Sequence, residues 1–434
     1  MYRTVMHPPL PVCLAVENHV SAVDVGARQR NSFLVVDKAV VLDRIRLWQQ
    51  CLPHISPCHT IRCNSDMQLL QLLAGLSVDF ECMSLTEISQ VLYLGVNPNR
   101  LIFTGPCKDP DEVHHARIAG VRKAVFDNED ELRKLARSHR DAEFYLQLSV
   151  HDPACRVRPT KTFGASIGHA KYLFARSKKL RLNIRGLYLP VDGAASNPIA
   201  YHRAVACARI AYDHALQHGH SITSIYIGGG FALGNFEQNA FRLGEAITQN
   251  FGSLQSTIRW TAEPGPLWVG DAYFLASRVL GTRDDGENLD LFVNDGVHRN
   301  FFHAVVDPPV SKPILLHPRG FGKNGAPPQD ARAWTVWGQT GGWYDRIVTD
   351  CWFPRRPRVN DWLIFPSMGG TICNTVCSWM YRLLTVVQHT VIRVTPVSVA
   401  SGPRRKRFGF PAKAPSPRWR IETFRKSRGE TQPE

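Results

Sequence analysis

The chain has 434 residues, of which 44% are apolar and 21% charged, with a formal net charge of +15. That length and composition exclude a wholly disordered or fibrous chain and suit two globular domains with a tail. No apolar run is long enough to span a membrane, the proline-broken N-terminus makes a poor signal peptide, and eleven cysteines without paired spacing argue for free thiols rather than a disulfide or zinc framework.

Residues 1–36 read as irregular apart from SFLVVD, a short strand. From Lys38 the apolar positions Val40, Val41, Leu42, Ile45, Leu47 and Trp48 form a helical stripe. Strand and helix patterns then alternate. HTIRCN is followed by MQLLQLLAGLS, VDFECMS by LTEISQVLYLG, RLIFTG by DEVHHARIAG, and KAVFD by DELRKLARSH. EFYLQLSV, IRGLYLPV, SIYIGGG and TIRWTAEPG continue the series with helices between them. Eight such alternations predict an α/β fold, a parallel (β/α)8 barrel of the TIM kind, with an open doubly wound sheet as the alternative.

After Pro266 the rhythm stops. AYFLASRVLGTR, NLDLFVNDG, PILLHP, AWTVWGQT, RIVTDCW, DWLIFPSMG and VIRVTPVSV are short β-rich runs separated by turn formers, which predicts a C-terminal all-β domain. The expected division is 1–37 as a segment joining the β-domain, 38–267 as the barrel, 268–400 as the β-domain, and 401–434 as a disordered tail. From Val399 onward ten Lys/Arg face three Asp/Glu, a net of +7, so nearly half the charge excess lies there.

The segments NSFLVVDKAVVLDRIRLWQQCLP, IRCNS, FECMSLTEI, GPCK, VFDNEDELRKLARSH, KTFGAS, IGGGF, AEPG, FVNDGV, WGQTGGWYDRI and DWLIFPSMGG carry a resemblance over roughly residues 32–402. In order and spacing the chain resembles the family of eukaryotic ornithine decarboxylase and antizyme inhibitor. The resemblance implies a barrel that binds pyridoxal 5'-phosphate, a C-terminal β-domain, and a head-to-tail homodimer with shared sites.

Residue by residue, the implied chemistry is depleted. Active relatives attach the cofactor to a lysine in an AVKCN segment, where this chain reads TIRCN with Arg62. Covalent attachment needs a neutral primary amine, and a guanidinium stays protonated. Arg62 is expected either to pair with an anion or to be a drifted, solvent-seeking side chain. Pro190 stands where the family has a ring-stacking His. Asp192 and Gly193 replace a Gly and a phosphate-touching Ser, and Pro266 replaces the Arg of EPGR. Thr371 takes the place of a phosphate-binding Tyr and Gln147 that of an Arg. In the WGxTCD segment, Gly341 lacks the thiol and Gly342 the carboxylate that would grip a diamino acid.

Matching positions remain at Gly228, Gly229 and Gly230, whose backbone could cradle a phosphate or simply turn the chain, and at Glu263, Gly265, Asp307 and Glu87. Glu263 matches the carboxylate that keeps the pyridine nitrogen protonated, and Glu81 is a longer stand-in for an Asp. Lys108 and Lys161 are not expected to substitute for the missing lysine. The expectation is therefore a pseudoenzyme without catalytic residues and without a bound cofactor.

A partner-binding role tolerates those losses. The family's antizyme-binding stretch aligns with EVHHARIAGVRKAVFDNEDELRKLARSH, where Asp127, Glu131, Lys134 and Arg137 match charged positions and His114 replaces a Lys. Antizyme is thus the expected partner, with regulation of polyamine synthesis as the role and a homodimer or a heterodimer with active decarboxylase as the assembly. A residual amino-acid decarboxylase is the first alternative. The second is nucleic-acid or nuclear-targeting contact through Arg404 to Arg407, Phe408, Phe410 and Trp419. The location expected is cytoplasmic, with no membrane contact.

Overall fold

The computed structural model of the protein describes residues 9–24, 31–150, 163–191, 199–231, 233–306, 310–316, 332–371, 390–396 and 419–425. The chain divides into two compact units, one of residues 1–44 with 268–434 and one of residues 45–267.

In the first unit, helix α1 (Leu10–Asp24) precedes strand β1 (Phe33–Asp37), and helix α2 (Lys38–Cys51) runs from the first unit into the second. The reading of the first 36 residues as irregular missed α1. Its buried residues Val12, Cys13, Ala15 and Val16 recur at helical spacing and pack with Phe33, Val35, Phe274 and Ile364 in one apolar cluster. A proline near the first turn, which sequence reading takes as a breaker, is tolerated there because those N–H groups have no helical partner.

The second unit is a closed parallel barrel. Its strands are β2 (Ile55–Thr60), β3 (Asp79–Cys82), β4 (Leu101–Phe103), β5 (Lys123–Phe126), β6 (Glu143–Gln147), β7 (Ile184–Pro190), β8 (Ser224–Gly228) and β9 (Arg259–Ala262), and β9 returns to pair with β2. Between them run helices α3 (Met67–Gly75), α4 (Leu85–Tyr93), α5 (Pro110–Ile118), α6 (Glu129–Ser138), α7 (Ile167–Lys179), α8 (Ile199–Gln217) and α9 (Phe236–Phe251). Helix starts follow side-chain caps. Asp66 accepts from Gln68 N–H, Ser84 from Glu87 N–H, Asn128 from Glu131 N–H and Ser166 from His169 N–H. The interior is filled by Cys58, Ile102, Val125, Tyr145, Tyr188 and Tyr226. Gly186 is required by that filling, since a Cβ there would lie 2.2 Å from the Tyr145 ring.

The β-rich unit continues with β10 (Tyr273–Asp284), β11 (Leu289–Val293), β12 (Ile314–Leu315), β13 (Trp334–Trp337), β14 (Arg346–Cys351), β15 (Trp362–Phe365), β16 (Thr390–Pro396) and β17 (Trp419–Arg425). The main path of the nine-stranded sheet is β14-β13-β11-β10-β1-β16-β17, with β15 pairing both β10 and β12. The N-terminal strand joins this sheet by pairing antiparallel with β10 and parallel with β16. The tail departs from the expectation of disorder, because β17 pairs antiparallel with β16 from Trp419 against Pro396 to Arg425 against Thr390. In WRIETFR the alternation Trp419, Ile421, Thr423 is a strand pattern that the surrounding charge had masked. Arg404 to Arg407, Phe408 and Phe410 lie outside the described residues.

Candidate active site

The C-terminal ends of β2, β3, β8 and β9 bring together the residues on which any chemistry must rest. Strand β2 ends at Thr60, so Arg62 falls in a turn rather than in the strand expected over HTIRCN. Cys63 N–H closes that turn on Thr60 O at 3.0 Å, and the buried His59 ring holds Asn64 O at 2.8 Å through Nε2. Arg62 is exposed in the barrel mouth, with one guanidinium nitrogen on the Met83 sulfur. Enclosure by the mouth opposes its charge. Glu81, Glu263, Tyr188 and Glu87 outweigh that and hold it more firmly protonated than usual.

Glu81 and Glu263 form the acidic centre. Both are buried, at 1% and 8% exposure. The two Glu81 oxygens accept from Thr60 Oγ1 and Thr104 Oγ1, each at 2.6 Å. Burial disfavours the Glu81 charge, but the hydrogen bond from Glu263, the Arg62 guanidinium and the two threonine hydroxyls prevail, and its pKa is lowered. Glu263 goes the other way. Burial, the Glu81 charge and the shared hydrogen bond push it well above the usual carboxylate range. Glu81 is therefore the anion of the pair and Glu263 holds the proton, the arrangement that two close carboxyls adopt to avoid double ionisation. Tyr188 Oη donates to Glu263 Oε1 at 3.1 Å.

The glycine turn lies beside this pair. Gly228 closes β8, and a Cβ on it would come 3.2 Å from Glu263 Oε1 and 2.9 Å from Tyr188 Oη. Gly229 and Gly230 have φ of +74° and +85°, and added Cβ atoms would meet Val191 O at 2.8 Å and Tyr201 Oη at 2.7 Å. Side chains are excluded on both conformational and steric grounds, which leaves bare backbone beside the acidic pair. Val191 N–H donates to Gly228 O at 2.6 Å and ties the end of β7 to the turn.

Other positions singled out in the sequence lie elsewhere or act structurally. Glu87 accepts from Met83 N–H at 2.6 Å and belongs to the cap of α4. Gly265 has φ of +53°, and Gln147 is buried at the end of β6. Gly341, with φ of +68°, and Gly342 sit in a β-unit turn organised by Asp345, which sequence reading overlooked. The buried Asp345 carboxylate accepts from Val297 N–H at 2.9 Å, Thr340 N–H at 3.0 Å and Thr340 Oγ1 at 2.8 Å. Asp192, Gly193, Asp307 and Lys161 lie outside the described residues, as does the Thr371 side chain.

The charged positions around α6 divide. Glu131 is 3% exposed and accepts from Lys134 at 2.6 Å and from the fully enclosed Lys108 at 3.4 Å. Lys108 also donates to Gly105 O at 2.6 Å and to Val125 O, and burial drops its pKa to about 8. Asp127 is buried and accepts from Asn128 and from Gly164 N–H. Lys134 is half-buried and Arg137 is exposed. Among the described residues no group of three His, Cys, Asp or Glu could hold a metal ion, and no helix is long and apolar enough to cross a membrane.

Residues 38–270, just over half of the chain, match the family described as pyridoxal-dependent decarboxylase, pyridoxal binding domain. The chain is 33% identical over 370 residues to ornithine decarboxylase of Neurospora crassa, covering 78% of this chain and 76% of that one. It is 32% identical over 358 residues to antizyme inhibitor 2 of Xenopus laevis, covering 79% and 77%. Among solved structures it superposes on the arginine decarboxylase of Paramecium bursaria Chlorella virus bound to agmatine with a TM-score of 0.77 at 27% identity, over 84% of this chain and 97% of that one.

These findings correct two expectations. The expectation of a non-enzyme is overturned by relatives and a structural neighbour that are decarboxylases, and that of no cofactor by the match to a pyridoxal-binding domain. The losses at Arg62, Pro190, Pro266, Gly341 and Gly342 had been weighed above the groups that remain. Arg62 removes an amine, but the acid for a ring nitrogen and the side-chain-free turn depend on other strands. The residues present fit the cofactor at Glu263 and at the Gly228–Gly230 backbone, and they lack an amine at position 62.

Proposed function

We propose that this chain, which belongs to the pyridoxal-dependent decarboxylase family of ornithine decarboxylase and antizyme inhibitor, binds pyridoxal phosphate in the barrel mouth and decarboxylates an amino acid. The observation that carries the reading is the buried Glu263, protonated and held by Tyr188 beside the glycine turn. Glu263 can hand its proton to a ring nitrogen and remain as the counter-ion, with Glu81 keeping its own charge through Thr60 and Thr104. When bound, the cofactor supplies an electron sink for the charge left by loss of CO₂. Arg62 sets a positive charge at the entrance, which suits a substrate carboxylate.

The test is release of labelled CO₂ from a panel of basic and apolar amino acids, with and without added cofactor. Cofactor-dependent turnover that is lost in Glu263→Gln supports the reading. Turnover no higher than the no-protein control on every substrate contradicts it.

A second reading, favoured by the likeness to antizyme inhibitor 2, is antizyme binding and control of polyamine synthesis. Arg137 on α6 is the exposed charge of the four for it, since Glu131, Lys134 and Asp127 are engaged internally. Antizyme captured by the full chain and released by Arg137→Glu is the expected result. Absence of capture contradicts this second reading. Assembly as a homodimer, or as a heterodimer with an active relative, is read by sedimentation of the chain alone and of the mixture.

A further inference from the structure

We infer that this chain holds its cofactor as an exchangeable ligand, bound without a covalent bond, with Arg62 standing where an attaching amine would have to stand. The inference rests on the cofactor-binding reading and specifies its mode.

Three observations carry it. The first is the placement of Arg62. The turn Ile61–Cys63 is fixed at both flanks, by His59 on Asn64 O and by Ile61 N–H on Glu81 O at 3.2 Å. The side chain reaches Met83 and lies within the field of Glu81, Glu263 and Tyr188, the groups that form the acidic centre. A guanidinium there is a delocalised cation whose nitrogens do not add to an aldehyde at neutral pH.

The second is the absence of a substitute amine among the described residues. Lys108 is the only buried lysine there, and its Nζ is spent on Gly105 O, Val125 O and Glu131 under the start of α6. Lys123 opens β5 at the opposite end of the barrel from Arg62 and donates to Asn99 O at 2.7 Å. Lys134, Lys171, Lys178 and Lys179 stand on α6 and α7, outside the barrel wall, Lys38 opens α2, and Lys312 in the β-rich unit donates to Asp350 O at 2.6 Å.

The third is that the non-covalent half of the site is preorganised. Glu81 is held by two threonine hydroxyls, and Glu263 by Tyr188. The glycine turn is packed so tightly that side chains cannot enter. A ring nitrogen and an anionic group therefore meet a fixed environment with no tether. The Arg62 cation offsets the Glu81 anion, so the mouth takes up a dianionic ligand without adding to an excess of negative charge.

The experiment uses the full chain and pyridoxal phosphate itself. Binding is followed by quenching of intrinsic fluorescence. The loaded protein is then treated with borohydride either before or after exhaustive dialysis, and peptides are mapped by mass spectrometry. The expected wild-type result is saturable binding, loss of the cofactor on dialysis, and no stoichiometric reductive label on any lysine. In Arg62→Lys, the position-62 amine condenses with the aldehyde with loss of one water. Borohydride then delivers hydride to the new carbon–nitrogen bond, and a stoichiometric label maps to position 62. A stoichiometric wild-type label, on Lys108 or any other lysine, overturns the inference while leaving the binding reading intact. Absence of saturable binding in wild type overturns the binding reading itself, and the inference with it.

Discussion

His59 offers a quantitative handle on the turn that presents Arg62. Its ring is fully buried in β2, with Nε2 on Asn64 O at 2.8 Å and Phe80 edge-on at 6.4 Å between centroids. Burial lowers its pKa from 6.5 to about 4, against the opposing pull of the Asn64 carbonyl and the Glu81 charge. The unfolded chain therefore binds a proton below about pH 6.5 and the folded chain only below about 4. Across that window the unfolded state carries more protons, so stability is lost as pH falls. At about 1.4 kcal/mol per pH unit, this single ring accounts for about 3 kcal/mol of acid sensitivity. In His59→Gln the amide keeps a donor toward Asn64 O but loses the titration. The expected cost at pH 7 is about 1–2 kcal/mol for the poorer fit. The difference should then move by about 2–3 kcal/mol in favour of the variant between pH 7 and pH 4.5, enough to cancel or reverse the wild-type advantage, as measured by urea unfolding at each pH. His139 and His220, also pushed down by burial, are present in both proteins and cancel in the difference. A gap that stays constant with pH would refute the assignment of a neutral, buried His59.

Three further outcomes follow from the packing. Glu131→Ala strands the enclosed Lys108 ammonium and should cost about 3–5 kcal/mol in urea unfolding, whereas the exposed Arg137→Ala should change stability by less than about 0.5 kcal/mol. Gly230→Ala combines a left-handed φ of +85° with a Cβ 2.7 Å from Tyr201 Oη, so it should cost about 1–3 kcal/mol and weaken cofactor uptake in the same fluorescence titration. Asp345→Asn puts an amide donor against at least one of the donors from Val297 and Thr340. It should lower the thermal midpoint of the β-rich unit, at a cost of about 2–3 kcal/mol, with little change in cofactor affinity.

Much of the fold is legible because periodicity needs few specific residues. The βα alternation from His59 to Gly265 needs only apolar positions at the right spacing, and each helix start carries its own capping residue, such as Asp66, Ser84 or Asn128. Local turn chemistry is less legible. The strand expected through Arg62 stops at Thr60 because His59 and Thr60 fold the following residues back, a tertiary effect with no periodic signature. The N-terminal helix and β17 were hidden by proline and by charge, two cues that local sequence reading overweights when long-range pairing rewards the segment.

In the candidate site, single residues were easier to read than their relations. Glu81 and Glu263 could each be picked out by position. That they share one proton depends on 181 residues of intervening barrel and on Thr60, Thr104 and Tyr188. The reverse error befell Glu131. Its spacing from Lys134 on α6 suggested a surface pair for a partner, yet the side chain turns inward to Lys108. Asp345 carried no motif of its own, and only the three hydrogen bonds it gathers identify it.

The most direct test of the account is calorimetric titration of pyridoxal phosphate into the full chain and into Glu263→Ala, at neutral pH and low salt. The account predicts one saturable site per chain, with affinity at least about tenfold weaker once Glu263 is gone, the loss of one hydrogen bond to a charged partner. A wild-type chain that takes up no cofactor, or one whose affinity is indifferent to residue 263, would contradict the assignment of the barrel mouth as its site.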